Sequence, residues 1–389
     1  RILIFVEAVT RRLLEAWSGE EPAARPAGYR CACGRPVFFR NSLCLGCQAP
    51  LGFEPQSLLV QALEQAEHPD TWKLAGKEDA KQVFRRCGNF QSPAGCNWLV
   101  PADDEETLCR SCRLNRTIPD LEDPQNAEWW RTIENAKRRL VAQLLSLGLP
   151  VVSKVSEDTE QGVMFDLLRS PEEGPRVLTG HASGLITLNV EEADDSIREK
   201  TRHQMREPYR TLLGHFRHEI GHYYWDRLVA GTPWLEKVRA LFGDEREDYA
   251  EALKRNYEQG PQANWADSHI SSYASVHPWE DWAESWAHYL HVVDSLDTAL
   301  RFGLRGEDVE QAVEPFTVDD LYDPEAPDAG RVILLMNSWV QLTTVVNELA
   351  RSMGQHDFYP FVLSRPVLRK IHFIQMIVKE ARGGTSLVG

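Results

Sequence analysis

The run His218-Glu219-Ile220-Gly221-His222 contains the residue types that metal-dependent hydrolases use. It lies in a segment whose apolar residues recur with the period of a helix. Residues four apart share one face of a helix, so His218 and His222 can bind one metal ion. Glu219 lies beside that face, where it can accept a proton from a metal-bound water. The run therefore predicts a zinc site, although paired histidines also occur as ordinary surface or core residues.

A mononuclear zinc site needs a third protein ligand, and two glutamates further along the chain are candidates. Glu280 and Glu284 lie four apart in a segment that begins with Pro278, a residue typical of a first helical turn. One of them could bind zinc while the other orients a ligand histidine through its second ring nitrogen. Either assignment of these two roles fits the spacing.

Two further features of the first helix concern the ligand set. Asp226 follows His222 by four residues and is a candidate for supporting that histidine. The third histidine of a metzincin motif is absent, because Trp225 and Leu228 occupy the glycine and histidine positions of that motif. The sequence therefore favours a carboxylate as the third ligand.

All eight cysteines lie before residue 113, in two groups of four. The groups are Cys31, Cys33, Cys44 and Cys47, and then Cys87, Cys96, Cys109 and Cys112. Closely spaced cysteines beside glycine, asparagine and arginine are typical of zinc knuckles. Four thiolates leave no open coordination position, so each zinc is expected to stabilise the fold. The alternatives are disulfides in an extracellular module and a redox-active Cys-x-x-Cys pair.

The predicted organisation has three parts. Residues 1–28 are an N-terminal segment and linker, 29–115 a zinc-ribbon module with two four-cysteine sites, and 116–389 the catalytic domain. Within that domain 163–168 and 185–190 have the composition of strands, with 176–179 as a hairpin partner and 180–184 as a loop. The edge of such a sheet could hold an extended peptide.

Composition limits the classes of partner. The formal net charge of -15 argues against a general nucleic-acid binder and against binding to an anionic membrane surface. No run approaches the ~20 apolar residues of a membrane span, and no signal peptide is recognised, so a cytoplasmic location is predicted. Five arginines of the ribbon module could form a face for a protein partner: Arg30, Arg35, Arg40, Arg85 and Arg86.

The segment from Ser272 to Trp286 resembles the end of the catalytic domain of anthrax lethal factor, although this chain lacks the other domains of that toxin. The resemblance implies that Glu280 is the zinc ligand and that Tyr273 stabilises the oxyanion. From about residue 29 onward the chain is more similar to a bacterial family of zinc-binding metallopeptidases. Members of that family pair a zinc ribbon with an H-E-I-G-H helix and a Trp-Ala-Glu-rich helix. This likeness implies peptidase chemistry without naming a substrate.

These observations predict an α+β protein with a zincin-like, mainly helical metallopeptidase domain that has a small sheet and follows a cysteine-rich zinc ribbon. A gluzincin-like site would hold one catalytic zinc through His218, His222 and Glu280, and two structural zincs would occupy the cysteine groups. Glu219 would activate the water, and the substrate would be a protein or peptide. The alternatives are a zinc-ribbon adaptor and a DNA-associated protein, with a peptidase-like domain that is inactive or tightly regulated.

Overall fold

The computed structural model of the protein describes residues 29–76, 82–205, 207–302, 304 and 314–384. The predicted N-terminal segment and linker lie outside these residues. Contacts within the chain divide it into two compact units, of which the first ends at Gln204 and the second begins at Met205. The domain boundaries predicted from the sequence stay predictions.

The first unit begins with short antiparallel strands. β1 (Tyr29–Arg30) pairs with β2 (Pro36–Val37), and a five-stranded antiparallel sheet follows with its strands side by side in chain order. The strands of that sheet are β3 (Leu51–Glu54), β4 (Leu59–Gln65), β5 (Thr71–Leu74), β6 (Phe84–Arg86) and β7 (Leu99–Pro101). Its apolar core includes Leu63, Leu74, Phe84 and Leu99.

Aromatic rings and two arginines pack within this part of the first unit. The Phe53 and Trp98 ring centroids lie 4.6 Å apart, and both side chains are fully buried. The Arg86 guanidinium lies 4.1 Å from the centroid of the Phe90 ring, and Arg85 donates to the backbone carbonyl of Asp104. Arg30 Nη1 also donates to the Gly34 carbonyl at 2.9 Å, so at least three of the five arginines predicted as a possible partner-binding face make contacts inside the unit.

A second sheet has the strand order β10-β11-β9-β8. Its strands are β8 (Asn115–Thr117), β9 (Met164–Leu168), β10 (Gly180–Ala182) and β11 (Leu185–Asn189). β9 runs parallel to both β8 and β11, whereas β10 is antiparallel to β11. Helix α1 (Pro124–Ser146) begins at an Asp123 cap that accepts from Gln125 N at 2.9 Å, and α2 (Asp195–Met205) follows β11 in the chain.

The hairpin predicted from the sequence for this second sheet is wrong. Residues 176–179 form no strand, and residues 180–182, predicted as loop, pair with β11 instead. Ser183 and Gly184 both have positive φ, at 49° and 80°, and this backbone makes a two-residue turn between β10 and β11. The parallel neighbours of β9 come from distant segments, which strand composition alone does not identify.

The described part of the second unit is helical. Its helices are α3 (Leu212–Leu228), α4 (Trp234–Phe242), α5 (Tyr249–Gln259), α6 (Pro278–Arg301), α7 (Ala329–Ser352) and α8 (Arg365–Gly384). Among the residues that the structure describes, no helix has both the length and the apolar character needed to cross a bilayer.

Helices α3 and α6 pack closely because one position on α3 has no side chain. A Cβ atom built on Gly221 would lie 3.1 Å from both Ala283 Cα and Trp286 Cβ, so a larger residue would push the helices apart. The indole Nε1 of Trp282 donates to the Gly221 carbonyl at 2.9 Å. The second x of the H-E-x-x-H run thus allows the two helices to pack closely beside His222.

Helix α8 fixes the beginning of α6. The buried Lys370 Nζ lies 2.6 Å from Asp281 Oδ2 and donates to the Ser268 carbonyl at 2.6 Å. The pKa of Asp281 is raised to about 6 by burial, while the Lys370 charge acts in the opposite direction. This ion pair lies in the same helical turn as Glu280.

Candidate metal centres

Helix α3 places two imidazoles on one face. The helix starts at Thr211, whose hydroxyl accepts from Gly214 N at 3.0 Å. One helical turn then separates His218 from His222, and their Nε2 atoms lie 3.2 Å apart. Both rings are largely shielded from solvent. This is the geometry that the i, i+4 spacing predicts.

Helix α6 adds a carboxylate to this pair. His277 caps the helix by accepting from Trp279 N at 3.1 Å, and Glu280 lies in the first turn. Glu280 Oε2 lies 3.0 Å from His218 Nε2 and 3.6 Å from His222 Nε2. One ligand atom from each of the three residues therefore faces a common point.

The three atoms match the spacing that a tetrahedral zinc ion requires. Ligand bonds of about 2.0–2.1 Å give ligand-to-ligand separations of roughly 3.3 Å, close to the observed 3.0, 3.2 and 3.6 Å. Glu280 Oε2 is buried, yet it accepts no hydrogen bond of ordinary geometry from any residue that the structure describes. A buried carboxylate oxygen without a donor is costly unless a cation binds it. His218, His222 and Glu280 thus fit a divalent metal ion.

Further hydrogen bonds hold the ligands from outside. Glu284 Oε1 lies 2.7 Å from His218 Nδ1, and its Oε2 accepts from Ser271 Oγ at 2.6 Å. Tyr249 donates to Glu280 Oε1 at 2.7 Å. Of the two glutamates that the spacing left open, Glu280 therefore faces both Nε2 atoms, whereas Glu284 contacts the opposite nitrogen of His218. Their roles in binding a metal stay a prediction.

Negative charge is concentrated around the two imidazoles. Burial lowers the pKa of His218, but close contact with the negatively charged Glu280 and Glu284 outweighs it, so the pKa lies well above its usual value. For Glu219, burial has the opposite effect and raises the pKa, whereas the charges of His218 and His222 lower it by a smaller amount. Three carboxylates near two histidines in a buried place make a strong site for a cation.

Tyr273 and Asp226 also lie near the histidines. The Tyr273 ring centroid is 6.0 Å from that of His218. Its pKa is raised well above the usual range by burial, then by the charge of Glu280 and the Tyr249 hydroxyl. Asp226 is exposed one turn beyond His222 and interacts with it electrostatically. The predicted roles of Tyr273 and Asp226 stay predictions.

Tyr249 and Ser271 also contact the site, and neither is predicted from the sequence. Tyr249 is the first residue of α5, and Ser271 lies in the segment before α6. Neither has a fixed spacing to a metal-binding motif, because their contacts arise from tertiary packing. The only signal in the sequence is that Ser271 lies two residues before Tyr273, next to the segment that resembles lethal factor.

The first cysteine group lies at the beginning of the first unit. Cys31 Sγ is 3.5 Å from Cys47 Sγ, and Cys33 Sγ is 3.8 Å from Cys44 Sγ. Zinc–sulfur bonds of about 2.3 Å place tetrahedral thiolates roughly 3.8 Å apart, so these separations fit a zinc site with four cysteine ligands. All eight cysteines are free, which does not support the disulfide alternative.

The second group is deeper in the first unit. Its members Cys87, Cys96, Cys109 and Cys112 are all buried, and the Sγ atoms of Cys96 and Cys109 lie 3.6 Å apart. Burial, followed by the neighbouring thiols, raises the pKa of Cys109 well above its usual value. Four thiolates in this place therefore require a cation, and their spacing fits zinc.

Charged residues on α1 lie beside the second group. Cys112 Sγ is 3.9 Å from Glu134 Oε2, and Glu134 Oε1 pairs with Lys137 Nζ at 2.7 Å. Both charged side chains are fully buried, and Asn115 Nδ2 donates to Glu134 at 3.0 Å. The second cysteine group thus forms part of the core of its unit.

Comparison with known proteins gives the family. A family model described as "Putative zinc-binding metallo-peptidase" matches residues 126–377, and a zinc-ribbon domain model matches residues 28–123. Similar curated proteins include "Uncharacterized protein Rv2568c" of Mycobacterium tuberculosis and "Uncharacterized protein Mb2598c" of Mycobacterium bovis. Each is 43% identical over 349 residues, which cover 90% of this chain and 94% of the relative. No solved structure matches the chain.

The match to the peptidase model covers more than half of the chain, and the ribbon match covers both cysteine groups. The resemblance to a zinc-ribbon metallopeptidase family is thereby confirmed, and zinc binding is supported by the family and by the cysteine groups. The protein belongs to the family of zinc-binding metallo-peptidases, with a zinc-ribbon domain ahead of the peptidase region.

Proposed function

We propose that the protein is a zinc-dependent peptidase of the gluzincin type with a zincin-like catalytic domain. The observation that carries the proposal is the convergence of His218 Nε2, His222 Nε2 and Glu280 Oε2 beside the buried carboxyl group of Glu219. Three protein ligands, in contrast to four, leave a coordination position for water or substrate, as catalytic zinc sites require. Each cysteine group holds one structural zinc in this proposal, which gives three zinc ions per chain.

A zinc ion held by His218, His222 and Glu280 would act as a Lewis acid and would lower the pKa of a bound water molecule to ~7. Glu219 takes the proton of the attacking water, and burial raises the pKa of its carboxyl group, which makes it a stronger base. The same carboxyl group then gives the proton to the leaving amine. Tyr273 donates to the tetrahedral oxyanion of the substrate, an interaction worth roughly 3 kcal/mol.

The proposed substrate is a protein or peptide, and the support for this class is the family description. A cytoplasmic location and a protein partner at the ribbon stay predictions. Three of the arginines considered for such a partner, Arg30, Arg35 and Arg40, have exposed side chains. Nothing in the geometry favours the adaptor or DNA-associated alternatives over hydrolysis.

Replacement of the proposed base tests this function. Glu219→Gln is expected to keep three zinc ions per chain, because Glu219 is not a proposed ligand, and to lower hydrolysis by about 10²- to 10⁴-fold. Metal analysis gives the zinc content, and proteomic identification of cleaved proteins in an extract gives both activity and substrate. Glu258→Gln, an exposed substitution on α5, is the matched control.

Two outcomes contradict the proposal. If Glu219→Gln cleaves as well as the wild type, Glu219 is not the base. If the fully zinc-loaded wild type cleaves nothing in any extract, the zinc-ribbon adaptor becomes the better explanation.

A further inference from the structure

The two oxygens of Glu280 have different partners. Oε2 faces the His218 and His222 Nε2 atoms at 3.0 and 3.6 Å. Oε1 accepts a hydrogen bond from the Tyr249 hydroxyl at 2.7 Å. A carboxylate can bind a metal ion through one oxygen or both, and a donor on one oxygen favours the single-oxygen arrangement.

Tyr249 is held in place by its own surroundings. It is the first residue of α5, where the Asp248 cap accepts from Glu251 N at 3.0 Å. The ring of Tyr249 makes edge-to-face contact with the rings of His277 and Trp279, at centroid distances of 5.3 and 6.1 Å. The phenol is thus fixed against the same helix start that carries Glu280.

A hydrogen bond to a backbone carbonyl also joins the start of α5 to the start of α6. His277 Nε2 donates to the Glu247 carbonyl at 3.0 Å, while the other ring nitrogen of His277 caps α6. The start of α5 and the start of α6 are therefore joined through Glu247 and through Tyr249. A displacement of α5 would move the Tyr249 hydroxyl relative to the ligand carboxylate.

We infer that Tyr249 is a positioning residue that holds Glu280 as a one-oxygen metal ligand. The inference rests on the proposed metal site. Without the phenol, Oε1 loses its donor and the carboxylate is free to rotate or to bind through both oxygens. Rotation weakens metal binding, and two-oxygen binding occupies the position that substrate needs.

The test compares two Tyr→Phe variants of the same helix. Tyr249→Phe removes the hydroxyl and keeps the ring contacts, whereas Tyr257→Phe changes a side chain that is 63% exposed on α5. Full-length proteins are equilibrated against buffers of defined free zinc, and bound zinc is counted. The binding step that belongs to the His218 site is the one that a His222→Ala variant lacks.

Tyr249→Phe is expected to require about 10- to 100-fold more free zinc at that step, as for other residues that orient a ligand. Tyr257→Phe is expected to match the wild type. At saturating zinc, Tyr249→Phe should also raise KM more than it lowers kcat, because the substrate position is partly occupied. If thermal unfolding shows that Tyr249→Phe is poorly folded, Tyr249→His, which keeps a ring and an N–H donor, should recover part of the zinc affinity.

The inference is overturned if the His218 site of Tyr249→Phe fills at the same free zinc concentration as in the wild type. It is also overturned by a loss of kcat without a change in zinc affinity, which would mean that Tyr249 contacts the substrate. These outcomes are distinct from failure of the proposed function. In that case the wild type binds zinc and hydrolyses nothing, while the shift in the zinc step is still observed.

Discussion

The cysteine groups and the His–Glu site are built in different ways. Each cysteine group comes from short loops, as in the 3.5 Å approach of Cys31 and Cys47, and four thiolates would close the coordination sphere of a zinc ion. The His–Glu group takes its three proposed ligands from α3 and α6, between which two other helices lie in the sequence. We therefore expect the zinc ribbon to depend on metal for folding, and the His–Glu site to depend mainly on the packing of the helices that carry it.

The two cysteine groups also differ from each other. In the first group Cys33 and Cys47 are exposed, whereas every member of the second group is buried and Cys112 lies beside Glu134. If this group holds a zinc ion, loss of the ion would leave four buried thiols without a cation. We therefore expect the second group to contribute more to the stability of its unit.

Cysteine substitutions are expected to give the largest effect on stability. Cys112→Ser and Cys47→Ser should each reduce the zinc content from three ions to two. Cys112→Ser should lower the free energy of unfolding by more than about 3 kcal/mol, because a structural zinc contributes roughly 10–16 kcal/mol in small zinc domains. Cys47→Ser should lower the free energy of unfolding by a smaller amount, because its group is partly exposed. Metal analysis and thermal unfolding measure both quantities.

The comparison of the two groups fails if Cys47→Ser is at least as destabilising as Cys112→Ser. Zinc at the His–Glu site should be retained in both variants, since none of its ligands is a cysteine. Hydrolysis per folded molecule serves as the control for that site.

Replacement of the buried Lys370 side chain tests how far the His–Glu site depends on helix packing. Lys370→Met leaves Asp281 buried without its partner, and such a change costs about 3–5 kcal/mol. Lys379→Met, on the same helix, breaks a pair whose lysine is 57% exposed and should cost less than about 1 kcal/mol. Only Lys370→Met should also weaken zinc binding at Glu280, which zinc counting at defined free zinc would show.

The cost of Lys370→Met should depend on pH. The pKa of Asp281 is about 6 in the folded wild type, above the ~3.9 of an unfolded chain, so its folded form binds more protons between these values. Stability from this group is therefore present at low pH and is lost as pH rises through about 6. Removal of Lys370 raises the Asp281 pKa further, so the difference from the wild type should narrow as pH falls from about 7 to 5. Urea unfolding across this range gives the measurement, and a constant difference would contradict it.

The sequence predicts the parts of this protein whose geometry is local. His218 and His222 meet because four residues make one helical turn, and Cys44 and Cys47 meet because a knuckle is a tight loop. Glu280 was predicted as a ligand because the segment around it resembles the zinc-binding segment of a known peptidase. Tyr249 and the β10–β11 hairpin were missed, because the first depends on how α5 packs and the second on strand pairing that composition does not specify.

Ser271→Ala is expected to give the smallest effect on the His–Glu site. Ser271 does not touch a proposed ligand; it donates to Glu284, which in turn contacts His218. Loss of a residue that contacts a ligand, as in Glu284→Gln, costs about 10- to 100-fold in metal affinity, so Ser271→Ala should cost less than about 10-fold. Ser272→Ala is the matched control, and the same zinc titration measures all three variants. An effect of Ser271→Ala equal to that of Glu284→Gln would mean that the orientation of Glu284 depends entirely on Ser271. The site would then be controlled by the segment that carries Tyr273 more than by the packing of α3 against α6.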